Sequence, residues 1–147
     1  MKSNKKAGVF VDGAITPDFI SRSIEKHSHK KNIGAHSIFL GQVRNDSIGS
    51  NEVSAIEYSA YYEMAEEKFS EIREDAFSRF SLTCMHIYHS TGLVNAGEIS
   101  LFVFTSSVHR KDSTEACSYI VERIKAEVPV WGKEMFVEGS FSWKKQN

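Results

Sequence analysis

The chain has 147 residues, 41% hydrophobic, 12% aromatic and 25% charged, and eighteen Lys and Arg stand against nineteen Asp and Glu for a net charge of -1. That size suits one domain able to bury roughly two-thirds of its unfolded surface, and the composition excludes a disordered or fibrous chain. No overall basic field exists to draw in nucleic acid or an anionic membrane, and two cysteines, Cys84 and Cys117, build neither a disulfide framework nor, alone, a four-ligand zinc site.

The first six residues are basic, but the apolar run Val9-Phe10-Val11 is broken at once by Asp12, so neither an export signal nor a membrane span is expected. The reading is one cytoplasmic domain over residues 1–147, with about 1–7 and 144–147 as flexible ends. Residues 8–12 are β-favouring and predict a first strand. Thr16-Pro17-Asp18 reads as a helix start, with Thr16 as N-cap and Pro17 at the first helical position. Phe19, Ile20 and Ile24 are its inward stripe, and the polar run 26–31 follows.

Residues 34–44 predict a strand, 44–51 a polar loop, and 52–58 a second strand by alternation. Met64, Ala65, Phe69, Ile72, Ala76, Phe77 and Phe80 recur at helical spacing and predict a helix over 61–80. Residues 82–89 and 98–105 predict strands joined through Gly92 and Gly97. In the last helix Asp112 is the expected cap, with Glu115 three residues on as in a capping box. Ala116, Cys117, Ile120, Val121, Ile124 and Val128 form its buried stripe, Pro129 ends it, and a strand over 133–137 follows. The order βαββαββαβ implies an α+β domain with a mixed, largely antiparallel sheet and about three helices.

No Gly-rich phosphate loop, HExxH or CxxC is present. His86 and His89, three apart on a strand, face opposite sides and cannot share an ion locally; one packed and one solvated histidine are expected. Cys117 on an apolar stripe reads as an inert buried thiol, and Glu63, Glu66 and Glu67 as a solvated helix face. What remains is a set of cationic and donor groups at the ends of elements. Arg44 ends a strand, His109 and Arg110 open the last helix, Lys125 lies in its final turn, and Lys133 follows the bend at 129–132. Each alone is a surface charge; converging, they form an anion pocket. A half-buried lysine there loses hydration and gains positive neighbours, and both lower its pKa toward proton transfer or covalent work.

The segments carrying these residues are Phe39-Leu40-Gly41-Gln42-Val43-Arg44-Asn45, Glu57-Tyr58 with Met64-Ala65, and Gly97-Glu98 leading into Ser106-Ser107-Val108-His109-Arg110. Ile124-Lys125, Pro129-Val130-Trp131-Gly132-Lys133-Glu134 and Glu138-Gly139 complete them. In this order and spacing, across about residues 34–143, the chain resembles the family of large, catalytic subunits of molybdopterin synthase. The resemblance implies an α/β-hammerhead-like α+β fold that forms a homodimer and binds one small ubiquitin-like sulfur-carrier subunit per protomer, giving a heterotetramer. It implies that the small subunit's Gly-Gly tail, as a thiocarboxylate, supplies sulfur to cyclic pyranopterin monophosphate, making the dithiolene of molybdopterin with no metal or organic cofactor. By the same resemblance Lys125 is the catalytic lysine. Arg44, His109 and Arg110 hold the phosphate, and Gln42, Val43, Gly132, Lys133 and Glu134 belong to substrate-binding segments.

Three departures stand out. Gly132 occupies the place of a site-lining lysine of the family, and on an extended segment Lys133 points to the other face and cannot replace it. His89-Ser90-Thr91-Gly92 stands where relatives often carry His-Arg before the glycine. The tail offers only Lys144 and Lys145 to reach a neighbouring protomer's pocket. A catalytic sulfurtransferase subunit is therefore weighed against a non-catalytic partner-binding scaffold, favoured by Gly132, and against a generic anion- or nucleotide-binding module.

Overall fold

The computed structural model describes residues 8–144. Of the ends expected at about 1–7 and 144–147, residues 1–7 and 145–147, Lys145 among them, lie outside the described residues. Strand β1 (Phe10–Asp12) leads to helix α1 (Pro17–Glu25), where the Thr16 side chain accepts from the Phe19 amide at 3.1 Å with Pro17 next to it, as the sequence predicts. Strands β2 (Ala35–Gln42), β3 (Ser47–Ile48) and β4 (Asn51–Ala60) follow, then α2 (Tyr62–Arg79), β5 (Cys84–Asn95), β6 (Ile99–Ser107), α3 (Arg110–Glu127), β7 (Val130–Phe136) and β8 (Phe141–Trp143). The α+β architecture is the expected one. Among the described residues, no helix is long and apolar enough to cross a membrane.

The strands form one sheet in the order β2-β6-β5-β4-β7-β8, antiparallel throughout, with β1 added parallel to β5 and β3 folded back on β4. Strand β5 is longer than predicted. It pairs with β6 over residues 84–89 and then with β4 over 92–95. Gly92, read from sequence as part of a connection, sits at φ +83 inside this strand, where the backbone changes partner and a side chain is disfavoured. The segment 44–51 likewise contains the short β3 hairpin rather than only a loop.

Alternation divides the sheet into two faces. Met85, Ile87, Leu101 and Val103 bury one face under α2 (Ala65, Phe69, Ile72, Ala76) and α3 (Ala116, Cys117, Ile120, Val121, Ile124). Phe102 and Phe104 bury the other with Ile15 and with Phe19 and Ile20 of α1. Met64 and Phe77, counted in the α2 stripe, fall at its margins and are exposed. The Asp112–Glu115 capping box does not form. Helix α3 starts three residues earlier, with His109 as N-cap, Ser107 Oγ accepts from the Ser113 amide at 3.1 Å, and Asp112 instead accepts from the Ser81 amide at 3.3 Å. The strand end thus supplies the oxygen expected of the helix.

At the entrance to β2, Gly34 donates its amide to Ser107 O at 2.9 Å, and a Cβ on it would overlap the Val108 carbonyl oxygen. That neighbour is backbone and cannot rotate away. Gly34→Ala is expected to lower stability by roughly 1–3 kcal/mol, the usual range for overpacking, measurable as a lower urea midpoint at unchanged slope.

Candidate functional site

The last turn of α3 hangs over the place where β5 changes partner. Ile124 and Val121 are buried, which fixes the helix rotation and leaves Lys125 on the flank of the buried stripe. Beneath it lies a cavity of about 350 Å³, walled by Lys125 and Glu122 of α3, Tyr58 of β4, His89 of β5, Gly132 of β7 and Lys144. Leu101, Val128 and Val130 supply its apolar surface.

Three cations meet here. The Lys125 amine is held below the ordinary lysine value, first by lost hydration, then by the positive charges of Lys144 and Arg44, with Glu122 opposing. Two carboxylates are close by: Glu122 on the rim, and buried Glu134, whose Oε2 is 3.9 Å from Lys144 Nζ. The wall between is uncharged. His89 is pushed down to about 4 by burial, with the Ser90 carbonyl opposing and Lys125 adding to the depression. Its Nδ1 donates to Ser90 O at 2.8 Å, so the neutral ring keeps its lone pair on Nε2. Tyr58 bonds Ser100 Oγ at 3.1 Å, and burial raises its phenol pKa. Such a cavity suits an anionic guest with an apolar body.

Of the residues singled out from sequence, Lys125 and Gly132 line the cavity, and Arg44 and Glu134 act on its cations. Arg44 is itself exposed and ion-paired with Asp46 at 3.2 Å. Gln42 is exposed, whereas Val43 is buried against Ile56 and Val94, a packing position. Lys133 leaves the cavity, as alternation requires. Its ammonium lies 3.5 Å from Glu57 Oε1, directly opposite on β4, and 4.6 Å from the Phe141 ring centroid. His109 and Arg110 are exposed at the N-terminus of α3, fifteen residues before Lys125, hence about 22 Å away along the helix. Within one chain the expected convergence of Arg44, His109, Arg110 and Lys125 is therefore incomplete.

The sequence reading missed two cavity groups. His89 does face the side opposite His86, but neither ring is solvated: His89 is buried here and His86 is half-buried against His27. Lys144 was read only as one of two tail lysines able to reach a neighbouring protomer's pocket; its amide donates to Gly132 O at 2.8 Å, and the residue lines its own chain's cavity. Cys117 is buried with a raised thiol pKa, the inert character expected of it.

Because folding disfavours its charged form, Lys125 subtracts stability at pH below its depressed folded value. The deficit disappears as pH rises from that value to the unfolded one. Titration of the Lys125 side-chain methylene by NMR should show a midpoint below those of the exposed lysines. Arg44→Ala and Lys144→Ala should each raise it, Lys144→Ala by more; an unmoved midpoint would mean that the three cations do not share a field.

The profile described as "MoaE protein" matches residues 15–127. The molybdopterin synthase catalytic subunit of Bos taurus is 40% identical over 112 residues, 76% of this chain and 59% of that protein. The one from Pyrococcus abyssi is 40% identical over 108 residues, covering 74% and 72%. This chain thus matches little more than half the length of the mammalian relatives. Among solved structures, molybdopterin synthase from Staphylococcus aureus superposes with a TM-score of 0.80 at 31% identity, covering 93% of this chain and 96% of that one. A two-subunit complex of molybdopterin-converting factor from Helicobacter pylori reaches the same TM-score at 19% identity, a likeness of fold. A fold, a cationic cavity and a profile match spanning most of the sequence agree: the chain belongs to the MoaE protein family.

Proposed function

We propose that the protein is the catalytic subunit of a molybdopterin synthase, moving sulfur from the C-terminal thiocarboxylate of a small ubiquitin-like partner onto cyclic pyranopterin monophosphate. The observation that carries this reading is the Lys125 cavity, where Arg44 and Lys144 both depress the lysine. A thiocarboxylate and a phosphate brought together repel each other, and a site with a positive excess offsets that repulsion as the two approach. Apolar walls formed by Leu101, Val128 and Val130 leave room for an extended Gly-Gly tail and a flat pterin ring. As the thiocarboxylate sulfur bonds to a pterin carbon, a lysine with a lowered pKa can protonate the oxygen leaving that carbon. When water then cleaves the acyl–sulfur bond, the lysine takes a proton from the water and its charged form stabilises the negative charge on the acyl oxygen. Once sulfur has passed to the pterin, water completes the tail as a carboxylate.

The scaffold reading rested on Gly132. An ideal Cβ at that position would lie 3.9 Å from Lys144 Cβ and 2.8 Å from Ile56 Cγ2, so the space is constrained by Ile56 and bordered by Lys144. The amine absent from position 132 thus has a replacement in the cavity wall, which favours the catalytic reading. Lys125→Ala should cut dithiolene formation by about 10²–10⁴-fold in a reconstitution with thiocarboxylated small subunit and pterin substrate, while far-UV circular dichroism stays unchanged. Lys144→Ala should cost less but clearly reduce turnover. Normal turnover in Lys125→Ala would remove this mechanism.

His109 and Arg110 reach such a site if a second copy of the chain delivers them, which is how we read the homodimer. Val108 beside them is exposed, and β2 is an edge strand showing Ile38 and Leu40 to solvent. Mixing Lys125→Ala subunits with Arg110→Ala subunits should then restore part of the activity that neither has alone, since one site of each mixed dimer is intact. No recovery on mixing would place both residues in one chain's site.

A further inference from the structure

The face of the sheet under α1 carries a second group of side chains that sulfur transfer does not use. Cys84 and His86 alternate onto that face of β5. His27 reaches them from just beyond α1, where its backbone amide still donates to Ile24 O at 3.0 Å. Its Nε2 lies 3.0 Å from His86 Nε2, and one ring nitrogen of each histidine together with Cys84 Sγ lie within 4.8 Å of one another. His27 and Cys84 are buried and His86 is half-buried.

The hydrogen bonds fix the chemistry. His27 Nδ1 is 2.8 Å from Ser23 O, an oxygen that can only accept, so Nδ1 carries the proton and Nε2 presents a lone pair. A backbone carbonyl holding the remote nitrogen of an imidazole is the outer-shell arrangement that orients histidine ligands. His86 Nε2–H bridges to that lone pair in the empty state. Arg73, Lys30 and Lys26 lie around His86. Phe104 forms an apolar floor, its ring centroid 4.9 Å from that of His27.

We propose that His27, Cys84 and His86 form a binding site for one thiolate- and imidazole-preferring transition ion, zinc(II) or copper(I). Ligand distances of a tetrahedral zinc site put two imidazole nitrogens about 3.3 Å apart and nitrogen and sulfur about 3.6 Å apart. The nitrogens already stand close to that spacing, and the thiol lies within 4.8 Å of them. On binding, the Cys84 thiol loses its proton to solvent and the His86 proton moves from Nε2 to Nδ1, so one proton is released per ion. The thiolate's charge lets a cation sit among Arg73, Lys26 and Lys30. The half-buried edge of His86 borders a surface cleft shared with Glu66 and Arg73, which gives the ion an entry and leaves the fourth position to water. A bound ion would tie the end of α1 to the start of β5, two segments already joined here by a hydrogen bond between rings. The site lies across the sheet from Lys125 and is independent of the function proposed above.

The test uses the full chain, stripped with chelator and titrated with cobalt(II). One equivalent per chain should bind and give a thiolate-to-cobalt charge-transfer band that zinc(II) abolishes. Cys84→Ser should lose the band and at least about tenfold in affinity, while Cys117→Ser keeps both. Nitrogen-15 NMR of the wild-type protein needs no variant: zinc(II) should shift Nε2 of His27 and His86 and leave His89 and His109 unmoved. A band surviving in Cys84→Ser, zinc shifts confined to exposed His29 and His36, or no binding at all would overturn the proposal.

Discussion

Strand β5 is the constraint on which the rest of the molecule depends. Its first half bonds to β6 and its second half to β4, and Gly92 at φ +83 lets one chain serve two partners. Without that change of partner, β4 and β7 would not be joined to the half of the sheet that α3 covers. Tyr58 and Gly132 would then lie far from the last turn of α3. With it, His89 at the end of the first half becomes a wall of the Lys125 cavity, and the helix end, two strands and Lys144 close around one volume. The same strand's alternation sends Cys84 and His86 to the opposite face, so each odd or even position of β5 commits to one chemistry or the other.

The cavity itself is an electrostatic compromise. The Lys125 pKa is lowered first by lost hydration and then by repulsion from Lys144 and Arg44. Glu134 and Glu122 relieve part of it, and the rest is a stability cost borne by a site waiting for negative charge. Gly132 and Lys144 show how a hairpin can relocate a charge. Strands β7 and β8 pair Lys133 with Trp143, so residue 144 falls beside residue 132 and bonds to its carbonyl at 2.8 Å. The Lys144 side chain thereby starts beside Gly132, because adjacent strands are about 4.8 Å apart.

Much of the fold was legible in the sequence because it is locally encoded. The Thr16-Pro17 cap, the stripes of α2 and α3 and the alternation of β4 each express a preference within a few residues. What escaped was non-local. A glycine inside an alternating run reads as a turn, so β5 was ended at His89 and Gly92 left to the connection, although its partner change is decided by β4, some 35 residues earlier. Arg44, His109, Arg110 and Lys125 were all correctly read as sitting at ends of elements. Sequence alone does not say that His109 and Lys125 occupy opposite ends of an 18-residue helix pointing away from a shared pocket. His27 was hidden in a polar run, since burial by His86 comes from a residue 59 positions away. Lys144 required the β7–β8 register to be known first.

The two clusters also show why a single sheet can host unrelated sites without interference. His86 and His89 are three residues apart, yet one is dehydrated beside His27 and the other beside Lys125. Between them lies a packed layer that includes Met85, Ile87, Phe102 and Val103, each with little or no accessible surface. A close-packed interior transmits displacement far better than it transmits charge to water. An ion held by His27, Cys84 and His86 would therefore stiffen the start of β5 against α1, and that rigidity would pass along the strand to Gly92. The lysine cavity would gain a firmer wall while its own charge balance stayed unchanged. The proposed ion site and the lysine cavity would then share the strand's mechanics but neither a charge nor a ligand.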